Sequence, residues 1–220
     1  MSLGGALDAA AFIESHTRPQ RPPLIPEITL RLADEVTPIW NFTEQALDQL
    51  GLAPPFWAFA WAGGQALARY LLDPPHEAAG KTVLDFAAGS GLVGIAAALG
   101  GARAVSATDI DPFCAAACAF NAQANGVALE FITRDLLSAP PPAVDLICAG
   151  DICYEKPMAE RILAWLGQAH EAGTRVLIGD PNRSYFPRSG LKRLAAYEVA
   201  TTLELEDALI KPAGVWTFET

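Results

Sequence analysis

From Lys81 onward the chain alternates short apolar runs with longer segments of helical period. Thr82–Phe86, Ala104–Thr108, Leu129–Thr133, Val144–Ala149 and Arg175–Ile178 are aliphatic and β-branched between turn residues, which predicts five strands. Gly91–Leu99, Pro112–Asn125 and Pro157–Ala172 predict helices between them. Strands and helices alternating over short loops build a doubly wound, mostly parallel α/β sheet with helices on both faces. The end of the chain departs from this rhythm. "YEVATTLEL" (Tyr197–Leu205) and "GVWTFE" (Gly214–Glu219) predict two strands with only a loop between them. Such a pair forms an antiparallel hairpin at the sheet edge, giving seven strands.

The first 80 residues are less regular. "TRPQRPPLIPE" (Thr17–Glu27) has four prolines, each lacking a backbone donor, so residues 1–28 read as an irregular, extended arm. Ile28–Trp40 alternates at first, as a strand does. Asn41–Gly51 reads as a short helix that Thr43 caps and Gly51 ends. The aromatic stretch "PPFWAFAWAGG" (Pro54–Gly64) leads into a helix over Gly64–Asp73, stopped by Pro74 and Pro75. The expected division is an N-terminal extension, 1–50, and one catalytic domain, 51–220.

Composition narrows the function. With 51% apolar residues the 220-residue chain can bury one large core. No apolar run is long enough to span a membrane, and no basic segment precedes an apolar leader, so the expected location is the cytoplasm. A net charge of -10 argues against a nucleic-acid partner, because phosphate binding relies on Lys and Arg. It suits a partner presenting a cationic side chain. Cys114, Cys118, Cys148 and Cys153 lack the clustered Cys/His pattern of a zinc site. They read as buried free thiols, with no metal.

The chemistry concentrates in "KTVLDFAAGSGLVGIAAALGG" (Lys81–Gly101). A ligand of a doubly wound sheet binds beyond the carboxyl ends of the strands. Asp85 and Asp109 stand at two such ends, and Asp135 follows the third strand. Gly89 and Gly91 allow close backbone approach where the helix begins. Asp109 lies about 20 residues past the glycines, the spacing of a carboxylate that accepts from both ribose hydroxyls. No Lys-Ser or Lys-Thr follows the glycines, which excludes a P-loop. NAD stays open. Yet an acid four residues before the first glycine would repel a pyrophosphate and attract an ammonium, as in S-adenosylmethionine.

Lys81–Thr220 resembles the class I, seven-strand, Rossmann-like S-adenosylmethionine-dependent methyltransferases. "DFAAGSG" matches their D-x-G-x-G-x-G motif, with Ala87 in place of the first glycine. The resemblance implies that Asp85, Gly89 and Gly91 line the methionine end, that Asp109 holds the ribose and that Asp135 lies near the adenine amine. "FWAFAWAGGQALARYLLD", "TDIDP", "NAQANG", "GDICYEKP" and "LIGDPNRSY" further resemble the protein-lysine methyltransferases of the electron transfer flavoprotein β-subunit type. That group carries Asp-x-x-Tyr or Asp-x-x-Phe after the fourth strand, here Asp151 to Tyr154. The implied partner is that β subunit.

A lysine acceptor has a free pKa near 10.4 and must lose its proton before it attacks. An apolar, aromatic mouth favours the neutral amine. Asp151 is the candidate to orient the amine, with Tyr154 beside it. Trp57, Phe59 and Trp61 are candidates for the wall, because aromatic faces attract alkylammonium groups. Gly63 and Gly64 open a helix whose free N–H groups suit the cofactor carboxylate, so Trp61 and Gly64 join the cofactor set. Asp180 and Arg183 are candidates for the acceptor rim. A small-molecule N-methyltransferase and a non-catalytic cofactor-binding protein are the alternatives.

Overall fold

The computed structural model describes residues 8–33 and 54–219. Helix α1 (Ala9–His16) leads into strand β1 (Arg18–Gln20), which pairs antiparallel with β2 (Leu30–Leu32). A 3-10 turn at Phe56–Ala58 precedes α2 (Ala62–Leu72). Then follow β3 (Thr82–Phe86), α3 (Leu92–Leu99), β4 (Ala104–Thr108), α4 (Pro112–Ala124) and β5 (Glu130–Ile132). After a 3-10 turn at Leu136–Ser138 come β6 (Leu146–Gly150), α5 (Lys156–Glu171) and β7 (Arg175–Asp180). The chain closes with β8 (Leu191–Ala200), the short helix α6 (Leu203–Glu206) and β9 (Ile210–Phe218).

The seven-stranded sheet runs β5-β4-β3-β6-β7-β9-β8. The first five of these strands are parallel, and β9 pairs antiparallel with both β7 and β8. The predicted α/β sheet and its antiparallel end are therefore present. Strand order reverses between β3 and β6, so the carboxyl ends of β3, β4 and β6 open one crevice. Alternation in β3 shows why both faces are covered. Val83 packs with α2 and α3 in one core cluster, while Leu84 and Phe86 pack with α5 in the other.

Three expectations need correction. Residues 1–28 are not an irregular arm throughout. Asp8 caps α1 by accepting from Ala10 and Ala11 N–H, and Ile13 is fully buried. The prolines that follow end this helix but do not prevent it. Second, the strand expected over Ile28–Trp40 is only Leu30–Leu32 within the described residues; 34–40 and the Asn41–Gly51 helix lie outside them. Its hydrogen bonds go partly to side chains, with Arg31 N–H donating to Asn121 Oδ1 at 2.7 Å and Thr29 N–H to Asn125 Oδ1 at 2.9 Å. Third, the strand expected over Tyr197–Leu205 lies earlier, at Leu191–Ala200. Thr202 accepts from Leu205 N–H and begins α6 instead.

The N-terminal region is part of the main body. Ile25, Ile28, Leu30 and Leu32 join the core cluster built on α2, α3 and β3. Asn121 ties this region to the glycine turn by donating to the Ser90 carbonyl at 2.8 Å.

Candidate active site

A cavity of about 440 Å³ opens beyond the carboxyl ends of the central strands. One side of it forms where β3 turns into α3. Ala87, Gly89 and Gly91 all have positive φ, at 56°, 51° and 78°. Glycine suits such positions, and Ala87 holds one despite its Cβ. Gly91 is needed for space as well: an added Cβ would sit 2.9 Å from Cys118 Sγ. Asp109 follows β4 and braces the turn. Its Oδ2 accepts from Gly89 N–H and its Oδ1 from Asp111 N–H, both at 3.0 Å. Each oxygen keeps a lone pair, and the residue lines the cavity.

Asp135 caps the 3-10 turn through Leu137 N–H at 2.9 Å and also lines the cavity. Around it Ile110, Leu136, Leu137, Met158 and Ile162 form an apolar slot. Asp85 is placed differently. Its carboxylate is buried beneath the turn and accepts from Gly94 N–H at 2.7 Å. Burial pushes its pKa up to about 7, against the pull of that hydrogen bond. It does not line the cavity.

The opposite side is aromatic. Phe56 contacts Tyr154 at 5.3 Å and Trp61 at 5.9 Å between ring centroids. Trp61 Nε1–H donates to the Phe56 carbonyl at 2.9 Å, which fixes the indole. Trp57 is buried and stacks on Phe113 while one edge lines the cavity. Asp151 follows β6 with φ 54°, a left-handed conformation that is costly for a non-glycine residue. The turn aims its carboxylate at α2. Oδ2 accepts from Gly64 N–H at 2.6 Å, and Oδ1 accepts from Arg183 Nε and Nη2 at 3.0 and 2.6 Å. Burial raises its pKa, while Arg183 acts in the opposite sense.

Arg183 also reaches Glu206 Oε1 at 3.0 Å and stacks over Trp61, 5.5 Å from the ring centroid. Glu206 is buried and accepts from Ala62 N–H at 3.1 Å. Two carboxylates thus close the first turn of α2, where helix N–H groups otherwise lack partners. Asp180 ends β7 and accepts from Arg183 N–H at 2.7 Å. Burial pushes its pKa up to about 7, and its Oδ2 has no partner. No cluster of His, Cys, Asp and Glu among the described residues could hold a metal ion.

Comparison with known proteins places this geometry. A family model described as ribosomal protein L11 methyltransferase (PrmA) matches residues 65–153. The electron transfer flavoprotein β-subunit lysine methyltransferase of Xenopus laevis is 38% identical, covering 95% of this chain and 86% of that one. The protein of that name from Homo sapiens is 35% identical, covering 95% and 81%. The chain belongs to the electron transfer flavoprotein β-subunit lysine methyltransferase family. It is a protein-lysine methyltransferase by family, and its methyl donor is S-adenosylmethionine. Solved structures agree on the fold. Ribosomal protein L11 methylase from Lactobacillus delbrueckii superposes with a TM-score of 0.52 at 21% identity, covering 74% of this chain and 81% of that one. Magnesium protoporphyrin IX methyltransferase from Synechocystis with bound SAM gives 0.52 at 17% identity, covering 71% and 78%.

Within this lysine methyltransferase, Asp109, Asp135, Asp151, Tyr154, Trp61 and Arg183 come together on one cavity. The side chain of Asp85 and the glycines Gly89, Gly91 and Gly64 are not among the lining residues. Gly64 N–H is already given to Asp151, so it is not a free donor for a cofactor carboxylate. Gly63 serves packing: an added Cβ would collide with the Gly179 carbonyl. Phe59 does not line the cavity. Sequence reasoning missed Glu206, which falls one residue past the strand expected over Tyr197–Leu205. It also missed the apolar slot, whose one signal was Ile110 and Leu136 directly following two site acids.

Proposed function

We propose that the chain methylates lysine side chains of the electron transfer flavoprotein β subunit, the acceptor named for its relatives. The observation that carries the reading is Asp151 facing an aromatic-mouthed cavity, with its carboxylate fixed by Gly64 and Arg183. Asp109 has the spare lone pairs to accept from both ribose hydroxyls, and Asp135 those to accept from the adenine amine, with the apolar slot on the faces of the base. Asp85 shapes the glycine turn through Gly94, and Gly89 and Gly91 let that turn approach the donor's methionine end. Gly64 fixes Asp151, and Trp61 stands between donor and acceptor.

S-adenosylmethionine supplies a sulfonium methyl: the amine lone pair forms the new N–C bond, the S–C bond breaks onto sulfur and the surplus proton leaves to water. Alignment is therefore the main demand on the protein. Phe56, Trp61 and Tyr154 form the mouth, excluding water and guiding the lysine stem. The lone pair left on Asp151 Oδ2 accepts from the amine. The four buried free thiols fit a reducing cytoplasm, and the charge of -10 fits neither nucleic acid nor an anionic membrane surface. No described helix is long and apolar enough to cross a membrane. Residues 51–220 form the catalytic unit in this reading, and 8–33 brace it.

Asp151→Asn tests the reading. The amide keeps the shape but loses the charge that strengthens these hydrogen bonds. Turnover on the flavoprotein β subunit is expected to fall about 100-fold, with cofactor affinity within a few-fold of wild type. Near-normal turnover removes Asp151 from the chemistry. Lost cofactor affinity places it on the donor side. Label transferred only to small amines overturns the protein substrate.

A further inference from the structure

We propose that Glu206 and Arg183 are positioning residues that set the charge facing the acceptor amine: Glu206 holds the Arg183 guanidinium at the cavity wall, where that cation offsets the Asp151 carboxylate and weakens the pull of the wall on a protonated lysine. The inference rests on the lysine-acceptor reading and adds two residues to it.

The geometry separates the charges by face. Arg183 lines the cavity, beside Asp151 and over Trp61. Glu206 does not line it; its side chain is 2% exposed and accepts from the same Nη2 that donates to Asp151. Arg183 is thus gripped by Glu206, by Asp151 and on its flat face by the indole. A planar guanidinium suits three such contacts at once, whereas an ammonium does not. The grip is made across the fold. Arg183 follows β7, Asp151 follows β6, and Glu206 comes from α6 in the last connection.

A cation beside the acceptor disfavours a second cation there. Asp151 alone would act in the opposite sense and favour the ammonium. Paired with Arg183, it can accept from the amine with part of its charge offset at the wall. Other groups face the same place. Tyr154 stands at the mouth and Asp109 across the cavity. Lys211 on β9 lies 4.0 Å from Glu206. Asp180 and Cys153 lie behind Arg183 and Asp151, and Cys153 is held as a neutral thiol by burial. Asp111, Arg134 and Asp135 line the same cavity.

The test is the pH dependence of kcat on the flavoprotein β subunit, at saturating donor and acceptor. Glu206→Gln keeps the shape and removes one negative charge, so the wall becomes more positive and the acidic limb moves down by about one unit. Arg183→Met removes the cation, so the limb moves up by about one unit. Arg183→Lys keeps the charge and should leave the limb near wild type, even where kcat drops. Opposite shifts in the first two variants support the inference, because a purely structural role has no reason to change sign. Lower kcat with unmoved limbs, or shifts of the same sign, overturns it. Wild-type turnover in the same assay upholds the lysine-acceptor reading whichever way the limbs move. If wild type labels no protein at any pH, both fail. Should Arg183→Met not fold, an unmoved limb in Glu206→Gln is by itself enough to overturn the proposal.

Discussion

At the scale of single residues, Asp109 and Asp85 show how one residue type takes different work from its surroundings. Both stand at strand ends beside the same glycine turn. Asp109 lines the cavity, while Asp85 is sealed below the turn. Asp109→Ala is expected to weaken S-adenosylmethionine binding by tens-fold, from roughly 1.5–3 kcal/mol of lost charge-assisted hydrogen bonds. Titration calorimetry measures this directly, and unchanged affinity would take Asp109 out of the donor site. Both residues were legible as acids at strand ends. Which one lines the cavity was not, because one residue of register turns a strand side chain to the opposite face of the sheet.

At the scale of elements, the site depends on how closely α2 lies on β7. Gly63 and Gly179 bring the two backbones together, and a Cβ on Gly179 would meet the Gly63 carbonyl and lie 2.8 Å from Leu67 Cβ. One neighbour is a main-chain atom and the other a Cβ fixed to the main chain, so neither can swing aside. Gly179→Ala is expected to cost about 1–3 kcal/mol, from the backbone shift that overpacking forces. A denaturant melt reads the loss. The same shift would move Gly64 and Trp61 away from Asp151, so turnover should fall further than cofactor affinity. The short helix α6 carries the complementary lesson. "TTLEL" reads as the end of a strand by composition. A threonine cap and a buried ion pair make it a helix, and the ion pair has no local sequence signal.

At the scale of the whole molecule, buried acids make stability depend on pH. Asp85 and Asp180 each have a folded pKa near 7, above the unfolded value near 3.9. The folded chain therefore holds more protons than the unfolded chain between about pH 4 and 7. Their contribution favours folding at the acid end of that window and is lost as pH rises through about 7. Asp180→Asn removes the cost of a buried charge and keeps an acceptor for Arg183 N–H. Its melting temperature, relative to wild type, should rise more at pH 8 than at pH 5. An equal difference at both values would show that Asp180 is not titrating in this range.

The sequence by itself determined the alternation of strands and helices, the glycine turn with its three strand-end acids, and the Asp-x-x-Tyr step after the fourth parallel strand. These features are local. Each is written in the period of apolar residues or in a few neighbouring positions, so β3 and β4 begin and end where the pattern places them. Tertiary structure alone decided the rest. It drew residues 8–33 into the main core, where Asn121 and Asn125 meet the backbone of Arg31 and Thr29, 90 and 96 residues away in sequence. It spent the first N–H groups of α2 on Asp151 and Glu206. It also brought Arg183 between those two carboxylates, 32 and 23 positions away along the chain. Burial and charge pairing depend on what stands opposite in space, and the periodicity of one segment carries no record of its distant partner.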